Sequence, residues 1–302
     1  MLFLDFEDSV ATLEAELAEL RHGGGGGEEE VRLKARIDRQ LDVLYGRLTP
    51  WQTVQVARHP ERPSAREVIR VLGHGFIELA GDRAEGDDPL VAGGIARIKD
   101  HGVVLIGHDR AEDGAPRPAA AGLRKTTRLL RLAERFRLPA VLIADAAPAA
   151  EDAGSALRAC LETALDLRVP LVSVVAGALA GPAAALAACA DAPLMLQHAC
   201  LSVVTPEAAA ARWPVGGDPA RTLSAAAESL HLTAAALAEI GVIDAVIEEP
   251  RGGAHREPLA AAREIGAALL ARLETLRHVD GGLLRAKRRE RLAAFGRAAA
   301  AP

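Results

Sequence analysis

Aromatic side chains are nearly missing from this sequence: five Phe, two Trp and one Tyr make up 3% of the 302 residues, although half of the chain is hydrophobic. The core is therefore expected to be aliphatic, with small residues, alanine above all, letting helices pack closely. Cysteine is as scarce. Cys160, Cys189 and Cys200 are odd in number, irregularly spaced and set among apolar neighbours. That argues against a disulfide framework or a zinc cluster in this chain and fits small buried hydrophobes in a reducing compartment. Positive charge is not in excess. The formal net charge is −5, so a dominant nucleic-acid surface is not expected. The opening MLFLDFEDSV has no basic stretch ahead of an apolar one and brings acids in early. It does not read as a secretory signal, and the expected location is the cytoplasm.

One long uncharged run has to be weighed as a membrane segment: 171–190, LVSVVAGALAGPAAALAACA. A span needs about 20 predominantly apolar residues, and the length fits. The residues do not. Nearly half are alanine, Gly181–Pro182 breaks the run midway, and no basic collar follows. The better reading is a buried strand over 171–175, a glycine-marked turn over 177–181, and a buried helix from Pro182 to about Ala190. Proline suits the first helical position because its missing N–H would have had no partner there. The N–H groups of Ala183, Ala184 and Ala185 then point out of the helix start, an end that attracts anions or a developing oxyanion.

Around this centre the chain reads as alternating strands and helices. Phe6, Val10, Leu13, Leu17 and Leu20 form a helical seam, and Leu33, Ile37, Leu41 and Leu44 form a second. The glycines of 23–27 connect them flexibly. This predicts a helical hairpin that packs on the main body, on another subunit, or only on itself. Thr49 and Pro50 start a short helix, and Ser64 caps one over 65–72. The segment 76–88, FIELAGDRAEGDD, is acidic and glycine-punctuated and reads as a loop after a short apolar segment. Strands are expected over 93–98 and 103–107, joined by a Lys-Asp-His-Gly turn. A loop over 108–121 leads to a basic amphipathic helix over 123–136, then an apolar strand over 139–144. A loop over 146–154 and a helix over 155–167 precede the central run. Beyond it come strands over 194–196 and 201–204, helices over 206–213, 223–230 and 233–240, a strand over 242–246 and a helix over 258–276. The tail from Leu283, with Arg285, Lys287, Arg288, Arg289 and Arg291, reads as a solvated helix end that frays, or else as a site for phosphate or acids. This pattern predicts an α/β domain of stacked ββα turns or a doubly wound sheet.

At FIELAGDRAEGDD, LTPWQTVQVARHPERP and EPRGGAHREP the chain resembles the alpha subunit of bacterial acetyl-CoA carboxylase carboxyltransferase. FLDFE, LRKTTRLLRLAERFRLPAVLIAD, SVVTPEAAA and LAEIGVIDAVIEEP follow in the family's order. The resemblance implies a crotonase-like (ClpP/crotonase) spiral of ββα units with an N-terminal helical hairpin extension. It divides the chain into a helical extension with its glycine-rich linker (1–63), a carboxyltransferase domain (64–280) and a basic, alanine-rich tail (281–302). It implies a beta-type partner subunit that carries the family's zinc, commonly in an α2β2 assembly, and a biotin carboxyl carrier protein. It implies no nucleic acid, no membrane and no metal in this chain. The expected reaction moves a carboxyl group from carboxybiotin to acetyl-CoA, giving malonyl-CoA for fatty-acid synthesis. Two enolate-like oxygens then need stabilising, one on the biotin ureido group and one on the thioester, and paired backbone N–H groups at helix starts meet that need.

The departures fall on the site. The family's GEGGSGGA turn is here GALAGPAA, residues 177–184. Gly177 matches, Gly181 stands at the family serine, and Ala183 and Ala184 are left as the implied oxyanion donors. The DTPGAYPG loop is here DAAPAAEDAG, residues 145–154, and is followed by a shorter span. The loop after Gly107 has lost the string KGRDTKE; His108, Asp109 and Arg110 remain near its start, and Leu123 replaces the tyrosine of GYRK. Asp145, Arg83, His108 and Arg110 are the candidate substrate-binding residues. Each also has a plainer reading. Asp145 orients a loop, His108 is a solvated loop histidine, and Arg83 pairs with Asp82, Asp87 or Asp88. His255 is expected to be structural, and Ser202 and Thr205 have no partner to make them nucleophiles. Two functions stay open: a working carboxyltransferase subunit with a divergent pocket, or a catalytically degenerate subunit that stabilises its partner or serves another acyl-thioester reaction.

Overall fold

The computed structural model of the chain describes residues 2–24, 26–84, 86–111, 120–145, 153–213 and 218–295, the side chains of residues 182 and 183 aside. Four helices open the chain: α1 (Asp8–His22), α2 (Glu28–Tyr45), α3 (Pro50–Ala57) and α4 (Ala65–Leu72). The last two begin where their caps dictate. Thr49 Oγ1 accepts from the Gln52 N–H (3.2 Å) and Gln52 Oε1 accepts from the Thr49 N–H (2.9 Å). Ser64 and Glu67 repeat this reciprocal pattern at α4. The hairpin seams meet as expected, with Val10, Leu13 and Leu17 against Ile37, Leu41 and Tyr45, closed by Val56 of α3. The hairpin also packs on the main body. Glu7, buried, accepts from Tyr45 Oη (2.9 Å) and pairs with Arg256 (3.3 Å), while the Tyr45 ring meets His198 edge-on at 5.4 Å.

The domain that follows contains β1 (His74–Glu78), β2 (Val91–Ile98), β3 (His101–His108), α5 (Ala120–Phe136), β4 (Ala140–Ala144), α6 (Gly154–Asp166) and β5 (Leu171–Val175). Next come β6 (Ala178–Ala180), α7 (Pro182–Ala188), β7 (Ala192–Leu196), β8 (Cys200–Ser202), α8 (Pro206–Arg212) and α9 (Pro219–Ser229). The chain closes with α10 (Ala234–Glu239), β9 (Ala245–Ile247), α11 (Pro258–Leu276) and α12 (Gly281–Ala294). Seven strands form one sheet in the order β1-β2-β3-β4-β5-β7-β9, antiparallel up to β3 and parallel from there on. The strands β6 and β8 pair in parallel as a second, small sheet. Helices cover both faces, which a period of two lets the sequence specify. In β3, Leu105 and Gly107 face α4, the glycine packed against Ala65 and Ile69; His108, of opposite parity, faces Thr126 of α5. The strands β4, β5 and β7 are buried at every position, and the three cysteines are buried as well.

Three expectations are corrected. The short apolar segment at the start of 76–88 belongs to a strand, because His74–Glu78 pairs with β2 as an exposed edge strand. A water-facing edge strand shows no apolar alternation to read. The glycine-marked stretch 177–181 contains β6, which pairs with β8. The basic tail is a docked helix up to Ala294 and not a solvated, fraying end. Arg288 of α12 is buried, pairs with Asp191 (2.7 Å) and donates to the carbonyls of Ala164 (2.6 Å) and Leu167 (2.9 Å), while Arg291 donates to Val242 O (2.7 Å).

Candidate functional site

In open α/β sheets the space beyond the carboxyl ends of parallel strands is where ligands bind. Register brings His108, Ala144 and Val175 abreast at those ends of β3, β4 and β5. The next residues are Asp109, Asp145 and Ala176, and the 177–184 turn follows directly. The Asp145 N–H donates to His108 O (2.8 Å) and the Ala176 N–H to Ala144 O (3.0 Å), extending the ladder by one step.

Asp145 organises the start of the turn. Its Oδ1 accepts from the Ala178 N–H (2.9 Å), and its Oδ2 accepts from Arg110 Nη1 (2.8 Å). Arg110 in turn donates to the carbonyls of Pro60 (3.0 Å) and Arg62 (2.9 Å). Burial pushes the Asp145 carboxyl up to about 6; Arg110 and Arg62 pull the other way without cancelling it. Gly177 is needed because the carboxylate lies against it: a methyl there would overlap Asp145 Oδ1 and Cγ and stand 2.8 Å from Oδ2. The Gly177 carbonyl accepts from the Cys200 N–H (2.9 Å). Asp145 thus orients backbone, the plainer of its two readings, and Asp145, Arg110 and Gly177 meet.

Beyond β6, Gly181 turns the chain with φ 71° and ψ −142°, a conformation suited to glycine, and donates to Ser202 O (3.1 Å). Pro182 opens α7, as expected from the sequence. Ser173 Oγ of β5 donates to Ala187 O (2.7 Å), tying the helix down. The two expected donors differ. The Ala184 N–H already donates to Gly181 O (3.0 Å). Ala183 stands at the second helical position, where an N–H has no partner further up the helix.

Two residues that sequence reasoning missed lie beneath the turn. Arg62 and Glu249, both fully buried, form a two-pronged pair (2.8 and 2.7 Å), and Arg62 Nη2 also donates to Ala176 O (2.9 Å). Burial alone would lower the Arg62 pKa and raise that of Glu249, but each partner outweighs it, so both stay charged. The signal was available: Arg62 sits in ARHPERP and Glu249 in IEEP, two strings on which the resemblance rests.

The other candidates lie elsewhere. His108 is neither solvated nor in a loop. It ends β3 under α5, with Nε2 2.8 Å from Thr126 Oγ1, and burial pushes its pKa down to about 4. Arg83 is exposed at φ 62°, and the cations expected of it come from α5: Arg124 pairs with Asp82 (2.7 Å) and Lys125 with Asp87 (2.8 Å). His255 is buried and stacked on His59 at 4.0 Å between centroids, and its ring nitrogens make no hydrogen bond among the described residues, so it does not cap the adjacent glycine turn. Ser202 Oγ donates to Val204 O (2.6 Å), and Thr205 Oγ1 caps α8 (3.2 Å). Most of the two altered loops, residues 112–119 and 146–152, lies outside the described residues. Among the described residues, no group of three or more His, Cys, Asp or Glu could hold a metal ion, and no helix is long and apolar enough to cross a membrane.

Comparison with known proteins follows the same lines. A family model described as "acetyl co-enzyme A carboxylase carboxyltransferase-like" matches residues 3–296. The acetyl-coenzyme A carboxylase carboxyl transferase subunit alpha of Paramagnetospirillum magneticum is 39% identical, covering 99% of each chain. Its namesake from Rhodospirillum centenum is 42% identical over 98% of each. Among solved structures, transcarboxylase 12S with methylmalonyl-coenzyme A and methylmalonic acid bound superposes with a TM-score of 0.54 at 19% identity, over 81% of this chain and 47% of that one. The chain therefore spans about half the length of that protein. A Pseudomonas malonate decarboxylase hetero-tetramer in complex with coenzyme A gives 0.58 at 16% identity, over 76% of this chain and 95% of that one. At such identities the likeness speaks for the fold, which is the crotonase-like α/β fold.

Proposed function

The chain belongs to the acetyl-CoA carboxylase carboxyltransferase alpha-subunit family, and on that premise we propose that it is a working half of a carboxyltransferase in the cytoplasm. Its partner is a beta-type subunit, in an α2β2 assembly whose zinc lies on the partner. The acceptor is an acyl-CoA, acetyl-CoA first, yielding malonyl-CoA or an analogue. Carboxybiotin, brought by a carrier protein, supplies the carboxyl group when bound. Residues 1–63 act as an extension that braces the carboxyltransferase domain of 64–280.

The observation that carries this reading is the turn itself. Its entry, Ala176–Ala178, is held by buried charged groups at Ala176 O and at the Ala178 N–H, and it runs into a helix start whose second amide has no partner further up the helix. The local charges suit a group that becomes oxyanionic. Asp145 is compensated by Arg110 and Glu249 by Arg62, so neither of these two carboxylates stands bare against negative charge there. The Ala183 N–H would hold the oxygen, with Ala184 as a second donor that shares its hydrogen with Gly181 O. Gly177 makes room for the Asp145 carboxylate, and Gly181 turns the chain into the helix start. Asp145 and Arg110 orient the backbone, and no side chain of this turn moves a proton.

A second reading, the degenerate subunit that stabilises a catalytic partner, is favoured by one fact: the Ala184 N–H is already engaged. Purifying the chain with a beta-type subunit and following carboxyl transfer from malonyl-CoA to biocytin separates the two. The first reading expects turnover that falls about 10²–10³-fold in Ala183→Pro, the loss typical of one oxyanion donor. A stable complex silent on malonyl-CoA and other carboxyacyl-CoAs would favour the second. Failure to bind any beta-type subunit would sink both.

A further inference from the structure

We infer that Arg62 and Glu249 are positioning residues for the glycine turn: their buried pair fixes the Ala176 carbonyl, and with it the path of the backbone to the donors at the start of α7. The inference rests on reading that turn as the oxyanion site.

The argument starts from the strand end. The Ala176 carbonyl sits one residue past a fully buried strand, where a backbone oxygen needs a partner. Arg62 supplies two donors, Nη2 at 2.9 Å and Nε at 3.3 Å. A guanidinium is a planar fork, so what it gives one acceptor depends on what holds its other edge. Glu249 holds that edge at 2.8 and 2.7 Å. Glu249 is itself fixed by the N–H groups of His198 (2.9 Å) and Ala254 (2.7 Å). On the far side of the same three residues, Asp145 takes the Ala178 N–H (2.9 Å). Arg110 joins the two clamps by donating to Asp145 Oδ2 and to the Arg62 carbonyl. The segment Ala176-Gly177-Ala178 is therefore gripped at a carbonyl before the glycine and at an amide after it.

Stability alone is a poor account of the pair. Replacing a buried ion pair by neutral groups of similar size is often neutral or even stabilising. Orientation explains it better, because a neutral pair can fill the volume but cannot aim two donors at Ala176 O.

The test uses the full chain, alone and with its beta-type partner. The variant Arg62→Met with Glu249→Gln removes both charges together and keeps, in its single amide oxygen, an acceptor for one of the two amides, His198 or Ala254, that Glu249 holds with separate oxygens. By hydrogen exchange, amides over 176–184 should lose protection about tenfold or more, while β7 and α11 keep theirs. In the complex, kcat should fall about 10- to 100-fold, the scale of a small misplacement, with KM for malonyl-CoA within about twofold. Arg62→Lys should fall between, and it decides by the same measurements should the double variant not fold. Protection unchanged over 176–184, protection lost uniformly along the chain, or kcat unchanged despite a loosened turn would each overturn the inference. A wild-type complex without turnover would remove the reading of the site, yet the exchange measurement would still decide whether the pair holds the turn.

Discussion

Replacing Gly177 by alanine tests the site most directly, because its effect can be worked from the neighbours. The backbone there is ordinary; the obstacle is Asp145. A methyl group would overlap its Oδ1 and Cγ, and this carboxylate has little room to give. Its Oδ1 holds the Ala178 N–H, its Oδ2 holds Arg110, and its own N–H is bound to His108 O. Overpacking of this kind costs about 1–3 kcal/mol. If the carboxylate turns aside, a hydrogen bond to a charged acceptor is lost, about 1.5–3 kcal/mol more. The expected destabilisation is about 3–5 kcal/mol. At about 2–4 °C per kcal/mol for chains somewhat shorter than this one, Tm should drop on the order of 10 °C. Urea titration and thermal melts of Gly177→Ala, Asp145→Ala and the double variant would measure it. Removing the carboxylate makes room for the methyl, so the double variant should recover about 2–3 kcal/mol relative to additivity. The reasoning fails if Gly177→Ala lies within about 0.5 kcal/mol of wild type, or if the two substitutions simply add.

Two further outcomes concern the rest of the molecule. Arg288→Met should cost about 3–5 kcal/mol by urea titration, because Asp191 is left buried without its cation, and trypsin should then cut first within 285–291; Arg288→Met with Asp191→Asn should recover part of that loss. The pH dependence has two opposed parts. With its pKa raised to about 6 by burial, Asp145 contributes stability that is full below about pH 4 and lost as pH rises through 6. With its pKa lowered to about 4 by burial, His108 contributes stability that is full above about pH 6.5 and lost as pH falls through 4. Each amounts to about 3 kcal/mol at most. Asp145→Asn should therefore make acid destabilisation steeper between pH 6.5 and 4, and identical slopes in urea midpoints would contradict the assignment.

Much of the architecture was legible where a residue type has one physical use. Thr49–Pro50, Ser64 and Pro258 begin helices because each satisfies or avoids a free amide at a helix start, and the uncharged, β-branched LVSVV of 171–175 reads as a strand buried on both faces. The misses share a cause, since they depend on partners far along the chain. His74–Glu78 is a strand because β2 lies beside it, and 178–180 because β8 does. Arg288 looks solvated among four other basic residues until Asp191 and the carbonyls around Ala164 are brought to it. At the site, composition and spacing found only the helix start at Pro182. Asp145 and Arg110 came from resemblance, and Arg62 with Glu249 came only from the fold.

The Arg62–Glu249 pair also bears on the order of events during synthesis. Its members are 187 residues apart, so the grip on Ala176 closes only after most of the chain has left the ribosome. The sheet from β2 to β5 is built from nearer neighbours and has lower loop-closure entropy to overcome. A nascent chain can thus hold a nearly complete sheet while its turn is still unset. Until Glu249 arrives, the half-made chain can hold its sheet while the Arg62 guanidinium still lacks the carboxylate that fixes it against Ala176.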